Sequence, residues 1–334
     1  MKKLINLLAV SALGVTLTVK TVASEEVLRA VHAFPNFLVY TKTFLSYVDE
    51  VNKRGEGVVK IQVMGGPEAI KMFEQPNAVR DGVVDMVHTP GSFYGAAVPE
   101  IDAMVASTQN ATQTRVNGGT AMMDAAHQKR FNVKYLAWID SGVGFNIFTV
   151  NEPKFRSSDQ VLDLSGVKIR DNPIYTAFLK SLEATTSPMP STEAYGALEK
   201  GVIDAAPWTT IGITDLKWNK FLKYMVEPSF YSTDLGIIVN LDRWNSLSAE
   251  ARDVLQSVAI EWEEKSHNER QAEIADYKKA YIDGGMQFMS HSETGGANYL
   301  KLAYDSVWAR ATERMTDKGS AEDVAKLRAL YAPE

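Results

Sequence analysis

The chain of 334 residues contains no cysteine. Thiol catalysis and thiolate metal sites are therefore excluded, and an oxidising compartment would supply no disulfide, so stability has to come from packing. No GxSxG motif, phosphate-binding loop or GxGxxG fingerprint follows a predicted strand, which argues against a serine hydrolase and against nucleotide cofactors. The five histidines are dispersed, and none has the HExxH spacing of a zinc hydrolase: His32, His88, His127, His267 and His291.

Positive charge is also in short supply. Lysine and arginine number 35 against 41 aspartate and glutamate residues, which gives a formal net charge of -6. The basic residues are scattered along the chain, so no basic stripe is available to displace counterions from a nucleic acid. We therefore expect no nucleic-acid partner.

Beyond its N-terminus, the chain has no uninterrupted apolar run long enough for a transmembrane helix. The N-terminus begins with Met-Lys-Lys, continues through an apolar stretch and reaches small residues before two glutamates. This order predicts a cleaved signal peptide at 1–24 and a periplasmic mature chain that does not insert into the membrane. A retained membrane anchor is the alternative, but Asn6 and Lys20 interrupt a run that is already short for a bilayer.

The sequence does contain a regular alternation of strand-like and helical segments. Strands are predicted at 27–33, 58–64 and 83–88, and helices at 37–52, 73–81 and 112–130. Strands that alternate with helices are joined by crossovers, so the sheet should be mostly parallel and flanked by helices. The predicted fold class is α/β.

The alternation starts again further along and predicts a second lobe of the same kind. Strands are expected at 134–139, 143–150, 167–170, near Pro188 and at 202–205, with a helix at 192–200. Short strands at 224–226 and 236–241 could carry the chain between lobes. We predict a two-lobed fold, with residues 25–146 plus about 235–270 in lobe I and residues 147–234 plus about 271–334 in lobe II.

One long helix is predicted at 248–281, because apolar residues recur near one face and charged residues on the other. Ser248 is a suitable N-cap, and two glycines follow at 284–285. At 1.5 Å per residue the helix extends over roughly 45 to 50 Å, longer than one lobe, so it should brace both. A dimerising coiled coil is the alternative, but the heptad pattern is not kept.

Arg170 is the strongest candidate binding residue. It ends the predicted strand 167–170, and Pro173 lies near the start of the helix that follows. In open α/β sheets, ligands bind at the carboxyl ends of strands, where a guanidinium can hold a carboxylate through two parallel hydrogen bonds. The alternative is a surface arginine that caps a helix or pairs with Asp171.

Loops after the other predicted strands bring further candidates to the same edge. They contain Phe34, Asn36, Glu68, Phe93 and Tyr94. Binding pockets have apolar walls with a few placed polar groups, so an aromatic-lined pocket is expected here. The alternative is packing against a helix for Phe93 and Tyr94 and a turn cap for Glu68. His32 is expected to be a hydrogen-bonded structural residue.

Five segments, taken in order, resemble one protein family. They are GGPEAI at 65–70, GVVDM at 82–86, DLSGVKIR at 163–170, STEAYGALEKGVIDAAPW at 191–208 and LDRWNSLS at 241–248. Together they are similar to the DctP-like solute-binding proteins of TRAP transporters, the tripartite ATP-independent periplasmic family. The resemblance covers essentially all of the mature chain and implies a two-lobed protein that closes around an organic acid and delivers it to a TRAP permease. It also implies that Arg170 holds the ligand carboxylate.

The chain departs from the family pattern at two positions. Trp208 stands where sialic-acid-type members carry a polar ligand residue, and Asn146 stands where many members carry a second arginine. A single arginine implies a monocarboxylate, either a 2-oxo, a 2-hydroxy or an aryl acid. Some relatives hold a cation beside the ligand; here only Asp234 could supply the acidic residue, so no cofactor is assigned and a ligand-bridging cation stays open.

Two other functions are compatible with an exported α/β chain. A periplasmic enzyme that acts on a small carboxylic acid is the alternative function, but no nucleophile with a base and no clustered metal ligands are evident. A sensor ectodomain would share the fold and is expected to add a membrane span and a signalling domain, neither of which is seen before Glu334. The prediction is a binding protein, not an enzyme.

Overall fold

Two large β-sheets and a small antiparallel pair, Lys154–Phe155 with Leu162–Asp163, organise residues 24–333, which are the residues that the computed structural model describes. Apart from Ser24, the predicted signal peptide lies outside them. The strands are β1 (Glu26–His32), β2 (Val59–Gly65), β3 (Met86–Pro90), β4 (Val133–Trp138), β5 (Phe145–Thr149), β6 (Lys154–Phe155), β7 (Leu162–Asp163), β8 (Lys168–Asp171), β9 (Thr185–Pro188), β10 (Ala205–Thr209), β11 (Tyr224–Glu227), β12 (Leu235–Asn240) and β13 (Gln287–Ser290).

Helices flank both sheets, as the α/β prediction requires. They are α1 (Val39–Arg54), α2 (Gln75–Arg80), α3 (Ile101–Val105), α4 (Ala111–Asn117), α5 (Gly119–Phe131), α6 (Thr176–Ser181), α7 (Ser191–Glu199), α8 (Leu241–Ser246), α9 (Ala249–Asp283), α10 (Glu293–Asp317) and α11 (Asp323–Tyr331). Short 3₁₀ turns occupy Gly91–Tyr94 and Trp218–Lys220.

The first sheet has the strand order β2-β1-β3-β12-β4. The predicted parallel pairing is found between β1 and its neighbours β2 and β3. By contrast, β12 pairs antiparallel with both β3 and β4, because the chain returns from the second sheet before it forms β12. The sheet is therefore mixed, and the place between β3 and β4 is filled by β12, a strand that comes much later in the chain.

The second sheet has the strand order β13-β11-β5-β10-β8-β9. Parallel pairs join β8 to β9 and β10, and β11 to β13. The strand β5 is antiparallel to both β10 and β11. Mixed pairing again reflects a strand that enters from the other sheet, since β5 follows β4 directly along the chain.

The chain crosses between the sheets at 139–144 and again at 228–234. The two crossings run side by side, because Thr233 N donates a hydrogen bond to Val143 O at 3.0 Å. The exact ranges of the two lobes stay a prediction. Among the described residues, α11 packs against α3, α4 and α5 and also against α10.

The long helix α9 contacts both sheets. Its first half packs on α1 and β4 of the first lobe. Near its C-terminus, Tyr281 meets Phe148 of the second sheet with ring centroids 6.1 Å apart, and Lys278 pairs with Glu227 of β11 at 2.6 Å. Its 35 residues span about 52 Å at 1.5 Å per residue. The predicted bracing helix is therefore present, and Ser248 caps it by accepting from Ala251 N.

Two predicted elements differ from the structure for local reasons. The expected helix at 112–130 is divided into α4 and α5 at Gly118, whose φ of 95° is a left-handed conformation that interrupts a helix. The expected strand at 202–205 begins only at Ala205, because α7 ends at Glu199 and Gly201 turns the chain with a positive φ. The shift places Trp208 inside β10, in the middle of the second sheet.

An ion pair between the buried Glu263 and the partly exposed Arg115 anchors α9 to the first lobe. Glu263 is 1% exposed and receives two hydrogen bonds from Arg115 of α4, the one from Nη2 at 2.7 Å. The same carboxylate accepts from the backbone N of Trp138 at 3.0 Å, at the end of β4. The Glu263 carboxylate thus accepts hydrogen bonds from both α4 and β4 and joins α9 to them.

His88 makes the stability of the protein depend on pH. It lies in β3, is fully buried and stacks on Phe44 with ring centroids 5.2 Å apart, and neither ring nitrogen has a hydrogen-bond partner among residues 24–333. Burial lowers the pKa of His88 to about 3, so the unfolded chain takes up a proton below its ordinary pKa of 6.5 while the folded chain does not.

We expect this histidine to cost the folded state about 2 kcal/mol between pH 7 and pH 5, with further loss until the pH approaches the folded pKa. Urea denaturation at both pH values measures the change. In His88→Leu, which cannot titrate, the drop between pH 7 and pH 5 should be smaller by about that amount. An equal drop in both proteins would contradict the assignment.

Candidate functional site

A cleft lies between the two sheets at the carboxyl ends of β1, β3, β8 and β10, the edge that the sequence predicts. From the first sheet it is lined by Phe34, Tyr40, Pro90, Ser92 and Phe93. From the second sheet it is lined by Phe145, Asn172, Tyr175, Trp208 and Thr209, and from the second crossing by Thr233 and Asp234. The cleft is narrow in this structure: its cavity volume for a water-sized probe is about 30 Å³, within about 380 Å³ of atom-free space that includes open solvent.

Arg170 lies against the wall of this cleft and is 1% exposed. Its guanidinium carbon is 5.6 Å from the ring centroid of Trp208 and 5.7 Å from that of Trp218. Among residues 24–333 no carboxylate lies within ion-pair distance of it, its Nε has no acceptor, and its Nη1 makes only a long bond of 3.5 Å to Pro207 O. Burial lowers the pKa of Arg170, and Tyr175 and Asp171 only partly oppose this effect.

A buried guanidinium without a carboxylate is costly, because little in the protein replaces the water it has lost. The fold nevertheless holds Arg170 there, on β8, which lies between β10 and the edge strand β9. The arrangement suits an anion that arrives from outside and supplies the missing acceptors.

Trp208 forms a flat apolar wall over the guanidinium. Its ring meets Phe34 edge-on at 5.7 Å and Trp218 edge-on at 5.2 Å. The buried indole Nε1 of Trp208 has no acceptor among the described residues, so its N–H is an unpaired hydrogen-bond donor.

The two sides of the cleft touch each other beside this wall. Tyr40 of α1 donates its phenol proton to Thr209 Oγ1 of β10 at 2.7 Å. Nearby, Val39 N donates to Asp215 at 3.2 Å, which is a second bond between α1 and the other sheet. These contacts hold the sheets close together and narrow the cleft.

A buried carboxylate occupies the opposite part of the cleft. Asp234 is 2% exposed, and its Oδ2 accepts a hydrogen bond from Ser92 N at 2.6 Å. No lysine, arginine or histidine within residues 24–333 forms an ion pair with it. Burial raises the pKa of Asp234 to about 6, although the bond from Ser92 opposes the shift.

The sequence model of one protein family, the bacterial extracellular solute-binding proteins, family 7, matches residues 31–313 of the chain. The chain belongs to this family. The resemblance to the DctP-like solute-binding proteins of TRAP transporters is thereby confirmed. Members of the family are transport proteins that bind a solute outside the cytoplasm and work with a membrane permease; they are not classed as enzymes.

Individual relatives are distant in sequence but cover most of the chain. A solute-binding protein of Albidiferax ferrireducens is 24% identical over 332 residues, covering 92% of this chain and 91% of the relative. The monocarboxylate 2-oxoacid-binding periplasmic protein of a Nostoc species is 25% identical over 261 residues, covering 75% and 69%. The crystal structure of a TRAP transporter solute-binding protein from Bordetella bronchiseptica, with copurified calcium and picolinate, has a TM-score of 0.78 at 20% identity and covers 91% and 92%.

Of the residues predicted for the site of this solute-binding protein, the structure brings Trp208, Phe93 and Phe34 to the cleft and sets Arg170 directly behind Trp208. Phe93 also meets Phe73 edge-on at 4.7 Å. Asp234, predicted as a possible cation ligand, lines the same cleft.

Asn146 and Tyr94 lie elsewhere. The amide of Asn146 is fully buried and already engaged, since it donates to Val226 O at 2.8 Å and accepts from Thr210 Oγ1 at 2.7 Å. Tyr94 is in the core, where its hydroxyl meets His127 Nε2 at 3.0 Å and its ring stacks on Phe131 at 5.0 Å. For Tyr94 the packing alternative therefore describes the geometry.

Asn36 and Glu68 also stay outside the cleft, because both are exposed in turns. Glu68 accepts from Gly66 N at 2.7 Å, which lowers the pKa of its carboxyl and matches the turn-cap alternative. His32 is buried, and its Nδ1 is 2.7 Å from Phe34 O, as expected of a structural histidine.

Tyr40, Asn172 and Tyr175 line the cleft and were not predicted, whereas Ser92 belongs to the loop 89–94 that was expected to bring polar groups to the cleft edge. A signal existed for Asn172 and Tyr175, since they follow Arg170 directly at the end of its strand. None existed for Tyr40, because its contact with Thr209 joins residues 169 positions apart.

Within the described part of the chain, no group of three or more histidine, aspartate or glutamate side chains is placed to hold a metal ion. A ligand-bridging cation at Asp234 stays a prediction. None of the helices at 24–333 combines the length and apolar character needed to cross a membrane.

Proposed function

We propose that the protein captures an organic monocarboxylate, a 2-oxo, 2-hydroxy or aryl acid, in this cleft and delivers it to a TRAP permease from the periplasm. The observation that carries the proposal is the buried guanidinium of Arg170, which has no carboxylate partner among residues 24–333. A ligand carboxylate would satisfy it through two parallel hydrogen bonds.

One cation suits one carboxylate. No arginine or lysine is among the side chains that line the cleft, and Arg170 is the buried cation behind its Trp208 wall, so a second ligand carboxylate would be buried without a counter-charge. The remaining wall is largely aromatic, with Phe34, Phe93, Phe145 and Trp208, which suits an organic group of moderate size.

The relatives support this class of ligand. The Nostoc relative is a monocarboxylate 2-oxoacid-binding protein, and the Bordetella bronchiseptica structure holds picolinate, an aryl monocarboxylate. The calcium in that structure keeps the bridging cation open for this chain, with Asp234 as the residue that would contact it.

A thermal-shift screen of the protein without residues 1–24 tests the proposal, because a ligand that binds only the folded state raises the unfolding temperature. Pyruvate, lactate, benzoate and picolinate are compared with lactamide, benzamide and picolinamide, which keep the organic group and lose the charge. Malonate and succinate serve as dicarboxylates, and each series is repeated with calcium and with a chelator.

We expect at least one monocarboxylate to raise the unfolding temperature while its amide does not. Larger shifts with the dicarboxylates, or equal shifts with acid and amide, would contradict a monocarboxylate site. Recovery of a chemically altered compound would favour an enzyme instead.

Trp208 is expected to contribute to affinity through apolar contact with the ligand. Trp208→Ala should weaken binding by about 1 to 3 kcal/mol, because a large side chain that packs on the ligand is lost. Trp208→Phe should change the preference among acids more than the overall affinity. Calorimetry with the best acid from the screen measures both, and Trp244→Ala, on α8 beside Lys134, is the control. An unaltered ligand profile in both Trp208 variants would restrict Trp208 to the core.

A further inference from the structure

We infer that Asp234 selects acids whose carbon 2 carries a hydrogen-bond donor, a hydroxyl or an ammonium group, over the corresponding 2-oxo acids. This rests on the proposed function, since it assumes that Arg170 holds the carboxylate of the same ligand. It names a role for Asp234 toward the ligand itself, without a metal ion.

Asp234 and Arg170 are two buried charges of opposite sign that do not pair with each other. Asp234 lines the cleft, and Arg170 lies behind the Trp208 wall. Tyr175 and Asp234 line the same cleft. Burial raises the pKa of the Tyr175 phenol, the charge of Arg170 opposes this rise and the charge of Asp234 adds to it, which agrees with a phenol near both charges. A ligand that reaches Arg170 with its carboxylate would therefore have Asp234 within the same cleft.

The carboxylate of Asp234 has acceptor capacity to spare. The bond from Ser92 N to Oδ2 is the hydrogen bond that its side chain receives from residues 24–333. An ionised carboxylate can accept about four, so an incoming donor finds free lone pairs. A 2-oxo oxygen offers only lone pairs and would face this carboxylate unfavourably.

One donor near Asp234 is free as well. Ser92, whose backbone N bonds Asp234, has a buried hydroxyl that has no hydrogen-bond partner in the described part of the chain, and Ser92 lines the cleft. A ligand hydroxyl could donate to Asp234 and accept from Ser92 Oγ, which would satisfy three polar groups together. A site built around a ligand donor rejects an analogue without it, because its own polar groups are then left unpaired.

Matched acids on one carbon skeleton test the inference. Lactate, alanine and pyruvate form one set, and 2-hydroxyisovalerate, valine and 2-oxoisovalerate form another. Calorimetry with the unaltered protein, in chelator, should show a donor-bearing member of a set binding about tenfold or more tightly than its 2-oxo partner. In Asp234→Asn, whose amide can both donate and accept, the preference should fall to about twofold or less.

Ser92→Ala is the matched control, since it removes the free hydroxyl and keeps the backbone bond to Asp234. It should weaken binding of the hydroxy acid without reversing the preference. If Asp234→Asn does not fold, the comparison within each set on the unaltered protein still decides.

Binding of 2-oxo acids equal to or tighter than that of their partners would overturn the inference and leave the proposed function standing. Binding that needs calcium would overturn it too, because Asp234 would then serve the ion. If no acid in either set or in the wider screen binds, both proposals fail.

Discussion

Arg170→Met is expected to remove ligand binding while leaving the ligand-free protein at least as stable as before. The methionine fills a similar volume and carries no charge, so the cost of a buried and unpaired guanidinium disappears. Loss of a buried, hydrogen-bonded charge pair costs about 2 to 5 kcal/mol of binding, which corresponds to a fall in affinity of about 30-fold or more.

Arg170→Lys distinguishes charge from geometry. It keeps a cation but loses the planar fork that matches a carboxylate, so affinity should fall to an intermediate value. Calorimetry with the best acid of the screen gives the affinities, and urea denaturation without ligand gives the stabilities. Lys168→Met, two positions earlier in β8 and exposed, is the control for loss of a positive charge.

Two results would remove Arg170 from the site. One is unchanged affinity in both variants. The other is a marked loss of stability in Arg170→Met without ligand, which would show that the guanidinium serves the fold through its contacts with Trp208 and Trp218.

Glu263→Ala is expected to lower the free energy of unfolding by about 2 to 4 kcal/mol, less than for a fully buried pair because 25% of the Arg115 side chain is exposed to solvent. Removal of one partner of a buried ion pair leaves the other without its counter-charge, which is strongly destabilising. Here the loss falls on Arg115 and also leaves the backbone N of Trp138 without its acceptor.

Urea denaturation measures this effect as a fall in the midpoint at an unchanged slope. Glu264→Ala is the matched control, because the next residue of α9 is exposed and should change stability little. Glu263→Gln keeps the volume and one acceptor and should lie between the two. Loss of less than about 1 kcal/mol in Glu263→Ala would show that the pair contributes little to the stability of the fold.

Sequence reasoning placed Arg170 near the end of a strand, as the structure does, because its strand, its glycine and its following helix lie next to each other in the chain. Sequence reasoning was less successful where the prediction depended on the direction in which a side chain points. Phe145 lines the cleft and its neighbour Asn146 does not, since successive side chains of a strand point to opposite faces. The sequence alone does not say which of two neighbours faces the cleft.

The same limit applies to Phe93 and Tyr94, one in the cleft and one in the core. Contacts between residues far apart in the sequence could not be predicted for a different reason. Tyr40 faces the cleft only because α1 of the first lobe begins against β10 of the second, and this depends on how two sheets approach each other. The antiparallel placement of β12 is likewise a property of the whole chain path.

That placement of β12 also bears on the order in which the molecule can form. A chain that ended before residue 235 would leave β3 and β4 without the strand that joins them, as two exposed edges open to aggregation. The second sheet in turn lacks its edge strand until β13 at Gln287–Ser290 is made. Such distant pairings raise the contact order and slow folding. Neither lobe can be produced as a contiguous fragment, and neither is complete until most of the other has been synthesised.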